Sequence, residues 1–304
     1  MSRSAKKFKG IFIAGCGDIG QRVARLWRLR GVPVRGLARS KASAERLRGH
    51  GIEPVQGDLD QADSLGNFAL AGHALYYFAP PPEVNDEDPR VSAFVAALER
   101  QAPPEVLVYL STSGVYGDRQ GAWVDEETRP QPQTARARRR LYAENTLRQW
   151  GRRHGVPVVV LRVGGIYGPG RLPIERLQKG LPVLREAECG YTNRIHAEDL
   201  AAICVAAGEY GAADRVYNVS DGQNGTMTQY FKAVAARLDL PLPHEIGLAE
   251  AKQQLSPAML SYLTESRRMR NTRMLDELGI TLTYPDLASG LAAIDPQQEL
   301  SRGC

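Results

Sequence analysis

The sequence predicts an α/β fold, a doubly wound parallel sheet with a smaller C-terminal lobe. Three observations predict it. Short apolar runs alternate with amphipathic stretches through the first two-thirds of the chain, a glycine-rich turn joins the first run to the first stretch, and Gly and Pro break up the remainder. The apolar runs lie at residues 10–14, 32–37, 52–56, 74–78, 106–110, 156–163 and 216–219. They are apolar along their length rather than alternating, which is the pattern of parallel strands covered by helices on both faces. The amphipathic stretches lie between them, at residues 19–30, 42–50, 91–101, 134–154 and 197–207. Asp88-Pro89 opens the third of these, with Asp as N-cap and Pro at the first helical position. Strand–helix alternation of this length requires right-handed crossovers.

Residues 1–164 with 190–221 are read as the sheet domain, and 165–189 with 222–304 as the smaller lobe. That lobe is expected over the carboxyl ends of the strands, the edge at which open α/β sheets bind ligands.

The first strand runs into Gly15-Cys16-Gly17-Asp18-Ile19-Gly20, a GxGxxG turn opening a helix within a βαβ unit. In that context the spacing is the mark of a Rossmann dinucleotide site. Gly15 makes the tight turn, Gly17 lets the backbone approach a pyrophosphate, and Gly20 lets the helix pack on the sheet. The helix start, with Asp18 and Ile19, presents free N–H groups and a partial positive charge to the phosphates. After the second strand, an NAD site places an acid against the ribose hydroxyl. This chain carries Arg39 and Ser40 there, with no acid until Glu45. Arg39 can pair with a 2′-phosphate and Ser40 can donate to it, which favours NADP over NAD.

Composition narrows the function classes. The chain of 304 residues is 43% hydrophobic and 24% charged, with a net charge of +5. Its dense basic run, Arg136-Ala137-Arg138-Arg139-Arg140, is read as a helix face or an anionic small-molecule site, not a nucleic-acid surface. Cys16, Cys189, Cys204 and Cys304 show no ligand spacing, so no metal site is expected and reduced thiols in a cytoplasm fit best. No stretch approaches the about 20 apolar residues that span a bilayer. The expected partners are a polar or anionic small molecule and, as an open option, a second copy in a homodimer.

Further motifs follow in order. They are Gly57-Asp58-Leu59, Ala79-Pro80-Pro81, Ser111-Thr112-Ser113-Gly114-Val115-Tyr116-Gly117, Arg162-Val163-Gly164-Gly165-Ile166-Tyr167-Gly168-Pro169-Gly170, His196-Ala197-Glu198-Asp199-Leu200-Ala201 and Val216-Tyr217-Asn218-Val219. With them the chain, from its first strand to about Gly222, resembles the extended short-chain dehydrogenase/reductase family, the epimerase/dehydratase group. The resemblance implies that Asp58 and Leu59 hold adenine, that Ala79, Pro80 and Val163 lie along the cofactor, and that Thr112 is the hydroxyl that positions a substrate oxygen. The family's catalytic pair is a Tyr and, four residues on, a Lys. Aligning the helix on Ala143-Glu144 puts Arg136 and Arg140 at those positions. Tyr142 falls about 240° around the helix from residue 136, off the active face.

The implied enzyme is an oxidoreductase or epimerase/dehydratase with a degenerate Tyr/Lys pair, acting on a polar hydroxyl or carbonyl substrate. Arg136, Arg140 and Arg162 are candidates to bind its anionic group. A guanidinium stays charged at usable pH, so the acid/base falls to Tyr116, Tyr191, Asp88 or a water on Thr112. A redox-silent NADP-binding sensor or scaffold is the alternative.

Overall fold

The computed structural model describes residues 5–302, without the side chains of residues 257 and 258. Its central sheet consists of β1 (Gly10–Ala14), β2 (Val34–Ala38), β3 (Glu53–Gln56), β4 (His73–Tyr77), β5 (Val106–Thr112), β6 (Val158–Val163) and β7 (Arg215–Val219). In space the order is β7-β6-β5-β4-β1-β2-β3, with every pair parallel. The chain winds outward from β1 in one direction and from β4 in the other, so the topological switch lies between them. All five residues of β1 are buried, as a strand covered on both faces must be. β3 carries Pro54, which an edge strand tolerates because one row of its N–H groups has no ladder partner.

Helices α1 (Asp18–Leu29), α2 (Lys41–Gly49) and α5 (Ala197–Tyr210) cover one face, burying Val23, Trp27, Leu47 and Ile203 against Ile11, Ile13 and Val108. Helices α3 (Pro89–Leu98) and α4 (Ala135–His154) cover the other, packing Phe94, Leu147 and Trp150 on Phe12, Leu75 and Leu107. The predicted cap of α3 is present: the Asp88 carboxylate accepts from the N–H groups of Arg90 and Val91. The second strand starts at Val34 instead of residue 32, because the Val32 N–H turns back to Trp27 O and Pro33 has none to offer.

The third core is separate. It gathers Leu177, Val183 and Leu184 from the middle of the chain with Phe231, Val234, Leu263 and Leu291 from its end. Its longest helix is α6 (Met227–Arg237). One segment departs from the sequence expectation for residues 222–304: the helix Thr272–Leu278 sends Met274 and Leu278 into the core of the sheet domain. Their apolar surface is buried against α5 and β7 rather than in the lobe.

Candidate cofactor and substrate clefts

The glycine turn leaves β1 with Gly15 at φ +102, where a Cβ would stand 2.4 Å from Ala79 N. A Cβ at Gly20 would stand 2.8 Å from Gly15 O, so α1 rests directly on the turn. Gly17 differs from both, because a Cβ there would meet no atom within 4 Å. It caps α1 without a side-chain hydrogen bond, and the first N–H groups of the helix have no intrahelical acceptor. The turn is a backbone cradle with free donors and open space above it, and this fits a dinucleotide pyrophosphate.

A cleft of about 370 Å³ opens over this cradle. Of the predicted cofactor residues, Gly15, Gly17, Arg39, Asp58, Leu59, Ala79 and Pro80 line it. Ile19 and Gly20 lie just behind, in the first turn of α1. The Asp58 carboxylate accepts from the Asp60 N–H at 3.0 Å, which bends the loop after β3 into the cleft. Asp60 in turn pairs with Arg90 at 2.6 Å, and this neighbour holds its carboxyl below the usual range. The Asp18 carboxylate faces elsewhere, pairing with Arg22 at 2.8 Å and with Arg171 of the lobe at 3.0 Å.

Two more predicted cofactor residues stand apart. Ser40 caps α2, its hydroxyl accepting from the Ser43 N–H at 3.2 Å, and the cleft wall is made instead by Ser43 and Arg46. Val163 is 4% exposed within the sheet core and is not in the wall. Ser43 and Arg46 stand three residues apart on α2 and so share one of its faces, while Arg39 precedes the cap at Ser40 and reaches the cleft from the end of β2. The guanidinium groups of Arg39 and Arg46 make no hydrogen bond or ion pair with a described residue.

A second cleft, of about 330 Å³, lies at the carboxyl ends of β5 and β6. Thr112 ends β5 there and caps a short 3₁₀ turn, accepting from the Gly114 N–H at 3.2 Å. Arg136 and Arg140 reach it from the first turns of α4. Arg140 donates to Leu110 O at 2.9 Å, which holds its guanidinium at the strand end. The opposite wall comes from Arg171, Tyr262, Glu265 and Arg267 of the lobe, together with Tyr191 and Asn193. Glu265 pairs with Arg267 at 2.9 Å and Asp18 with Arg171 at 3.0 Å, which leaves Arg136 and Arg140 in no ion pair with a described residue.

Three expectations are corrected here. Tyr116 is wholly buried: its hydroxyl donates to Asn218 Oδ1 at 2.7 Å and accepts from Arg162 Nη1 at 3.1 Å. Burial pushes its phenol up to about 12, and it has no path to the cleft. Arg162 is no anion receptor, since it is 3% exposed and held by the Glu144 carboxylate at 2.7 Å. Ser111 donates to the same carboxylate at 2.6 Å. Asp88 is spent as a helix cap, and burial pushes its carboxyl up. Tyr142 meets Ser92 Oγ at 3.1 Å against α3, on the side of α4 away from the second cleft, as the helix arithmetic requires. Thr112, Arg136, Arg140 and Tyr191 do come together. Arg171, Tyr262, Glu265 and Arg267 were missed, because nothing local marks a lobe residue that folds back over a strand end.

The model of the NAD dependent epimerase/dehydratase family matches residues 11–220. Protein YeeZ of Escherichia coli (strain K12) is 26% identical over 291 residues, covering 91% of this chain and 97% of its own. A conserved protein of Silicibacter pomeroyi DSS is 29% identical, with TM-score 0.78 over 97% of this chain and 100% of its own. DesIV of Streptomyces venezuelae, a dTDP-glucose 4,6-dehydratase solved as a double mutant with NAD and DAU bound, shares the fold at 18% identity, with TM-score 0.76 over 96% of each chain. The family match spans the sheet, the glycine cradle and the Thr112 strand, and the chain belongs to the NAD dependent epimerase/dehydratase family.

Proposed function

We propose that the protein binds NADP in the first cleft and acts as an oxidoreductase or epimerase/dehydratase-type enzyme on a polar, anionic hydroxyl or carbonyl substrate in the second. The observation that carries this reading is the second cleft itself. It sets the Thr112 hydroxyl among Arg136, Arg140, Arg171 and Arg267, at the same carboxyl edge of the sheet as the glycine cradle. Arg39 and Arg46, both exposed in the first cleft and in no ion pair with a described residue, support a 2′-phosphate there.

A bound nicotinamide supplies hydride transfer; the chain's own residues bind, orient and handle the proton. The α1 N–H groups and Gly17 seat the pyrophosphate, Asp58 and Leu59 flank the adenine, and Ala79 and Pro80 border the path between them. Thr112 holds the substrate oxygen by a hydrogen bond, and Arg136 and Arg140 hold its anionic group in place of the family's Tyr and Lys. The proton falls to Tyr191 or Tyr262, the phenols that line the cleft, or to a water on Thr112. One observation favours the rival reading, a redox-silent NADP sensor or scaffold: Tyr116, Tyr142 and Asp88 are all committed to structural bonds.

No helix among the described residues is long and apolar enough to cross a membrane. Cytoplasmic location and a homodimer belong to the proposal and are open to fractionation and light scattering. The deciding experiment titrates NADPH and NADH, then follows turnover of sugar nucleotides, aldehydes and keto acids by absorbance and NMR. Tight NADPH binding with turnover supports the enzyme; tight binding with no turnover across the panel replaces it with the sensor.

A further inference from the structure

Behind the second cleft lies a smaller recess of about 40 Å³, and Gly165, Asn193 and Tyr262 wall both. Arg194 stands in the wall of this recess. It is 7% exposed, yet it makes no ion pair with any described residue. The contrast with Arg162 is direct, since that equally buried guanidinium is matched by Glu144. An uncompensated buried cation is among the costliest groups a fold can carry, and it calls for an anion.

The neighbours of Arg194 do not supply one. Its Nη2 donates to Thr226 O at 3.0 Å and to Met227 Sδ at 3.3 Å, and the guanidinium lies 4.5 Å from the Tyr230 ring centre. Its Nε and Nη1 make no hydrogen bond with described residues. Asp221 is near enough to feel the charge but outside ion-pair distance, and its Oδ1 accepts from the Gln223 N–H at 2.9 Å. Burial pushes that carboxyl up to about 7, so it is not a full countercharge at neutral pH.

The recess is also reachable. At Gly165 a Cβ would stand 3.5 Å from the Tyr262 hydroxyl and 3.9 Å from Arg194 Cγ, so a larger side chain there would fill the approach. Size selects the ligand group. One water needs about 10–15 Å³ by this measure. At about 40 Å³ the recess holds only a small group, and a planar carboxylate fits it more readily than the bulkier tetrahedral phosphate.

We propose that Arg194 receives a carboxylate of the molecule bound in the second cleft, with the Tyr262 hydroxyl as a second donor. The inference rests on reading that cleft as the substrate site, and it narrows the substrate to a carboxylic acid.

The test is calorimetric titration of the full chain with glycolate and oxalate, with glycolamide and inorganic phosphate as comparison probes. Wild type is expected to bind the carboxylates and not glycolamide, and Arg194→Gln to bind them at least about tenfold more weakly. Phosphate, held at the arginines of the outer cleft, should be unaffected by Arg194→Gln. Because Arg194 also carries structural bonds, Gly165→Val provides an independent arm: it fills the approach, leaves Arg194 in place, and should abolish carboxylate binding. NADPH affinity within twofold of wild type reports that each variant is folded. Carboxylate binding that survives both variants overturns the role of Arg194 while leaving the cleft an anion site. Failure of wild type to bind either carboxylate or phosphate overturns both readings. Phosphate binding that depends on Arg194 refutes the size argument.

Discussion

Gly17→Val separates the fold of the glycine turn from its service as an anion seat. Gly17 has φ −74, which an L-residue adopts without strain, and a Cβ there meets nothing within 4 Å. The fold loses only the difference between glycine and valine as a helix N-cap, about 0.5–1 kcal/mol. For a chain of this size that lowers the melting temperature by roughly 1–4 °C. Binding suffers far more, because the isopropyl group occupies the space through which a pyrophosphate reaches the N–H groups of α1. Hydrogen bonds to a charged group contribute about 1.5–3 kcal/mol each, so losing two weakens binding by roughly 10²- to 10⁴-fold. Gly15→Val is the counterpart, with φ +102 and a Cβ 2.4 Å from Ala79 N, and it should unfold the turn. NADPH fluorescence titration beside thermal melts reads both effects. Normal NADPH binding by Gly17→Val would refute the placement of the pyrophosphate. A melting point as low as that of Gly15→Val would refute the claim of open space.

Four further outcomes are expected. Arg39→Ala should weaken NADPH about tenfold and leave NADH unchanged, with Arg46→Ala adding to the loss. Because both residues are exposed, the effect should shrink at high salt, and equal affinity of wild type for the two cofactors would end the argument. Thr112→Val should cut turnover by about 10²–10⁴-fold while Tyr142→Phe stays within a few-fold, and the reverse pattern would show that the α4 register is wrong. Glu144→Gln leaves Arg162 buried and unpaired, so urea unfolding should show a loss of about 3–5 kcal/mol; a change under 1 kcal/mol would contradict it. Asp221 holds its proton up to about pH 7 in the folded protein, where the unfolded chain has long released it. Folding is therefore penalised increasingly as pH rises from about 4 to 7, and Asp221→Asn should gain in melting temperature over wild type more at pH 8 than at pH 5.

The sheet was legible because its signals are local. Wholly apolar runs, the glycine spacing at residues 15, 17 and 20, and the Asp88-Pro89 cap depend on residues a few positions apart, and the structure has each of them. The same holds for α4: a fixed rotation per residue puts Arg136 and Arg140 on one side and Tyr142 on the other. What the sequence left open were the residues whose partners lie far along the chain. Tyr116 sits in a matching motif, but Asn218, 102 residues on, takes its hydroxyl. Arg162 reads as a free cation until Glu144 folds against it. Ser40 turned out to be a cap, and Arg46 entered the cleft from the next turn. The lobe half of the second cleft carried no signal at all, since Arg171, Tyr262 and Arg267 become neighbours of Thr112 only when three distant segments close over the strand ends. Spacing along the chain decides which way a side chain points; which groups it meets there, and whether its charge is spent, is decided by the packing of segments that the sequence keeps apart.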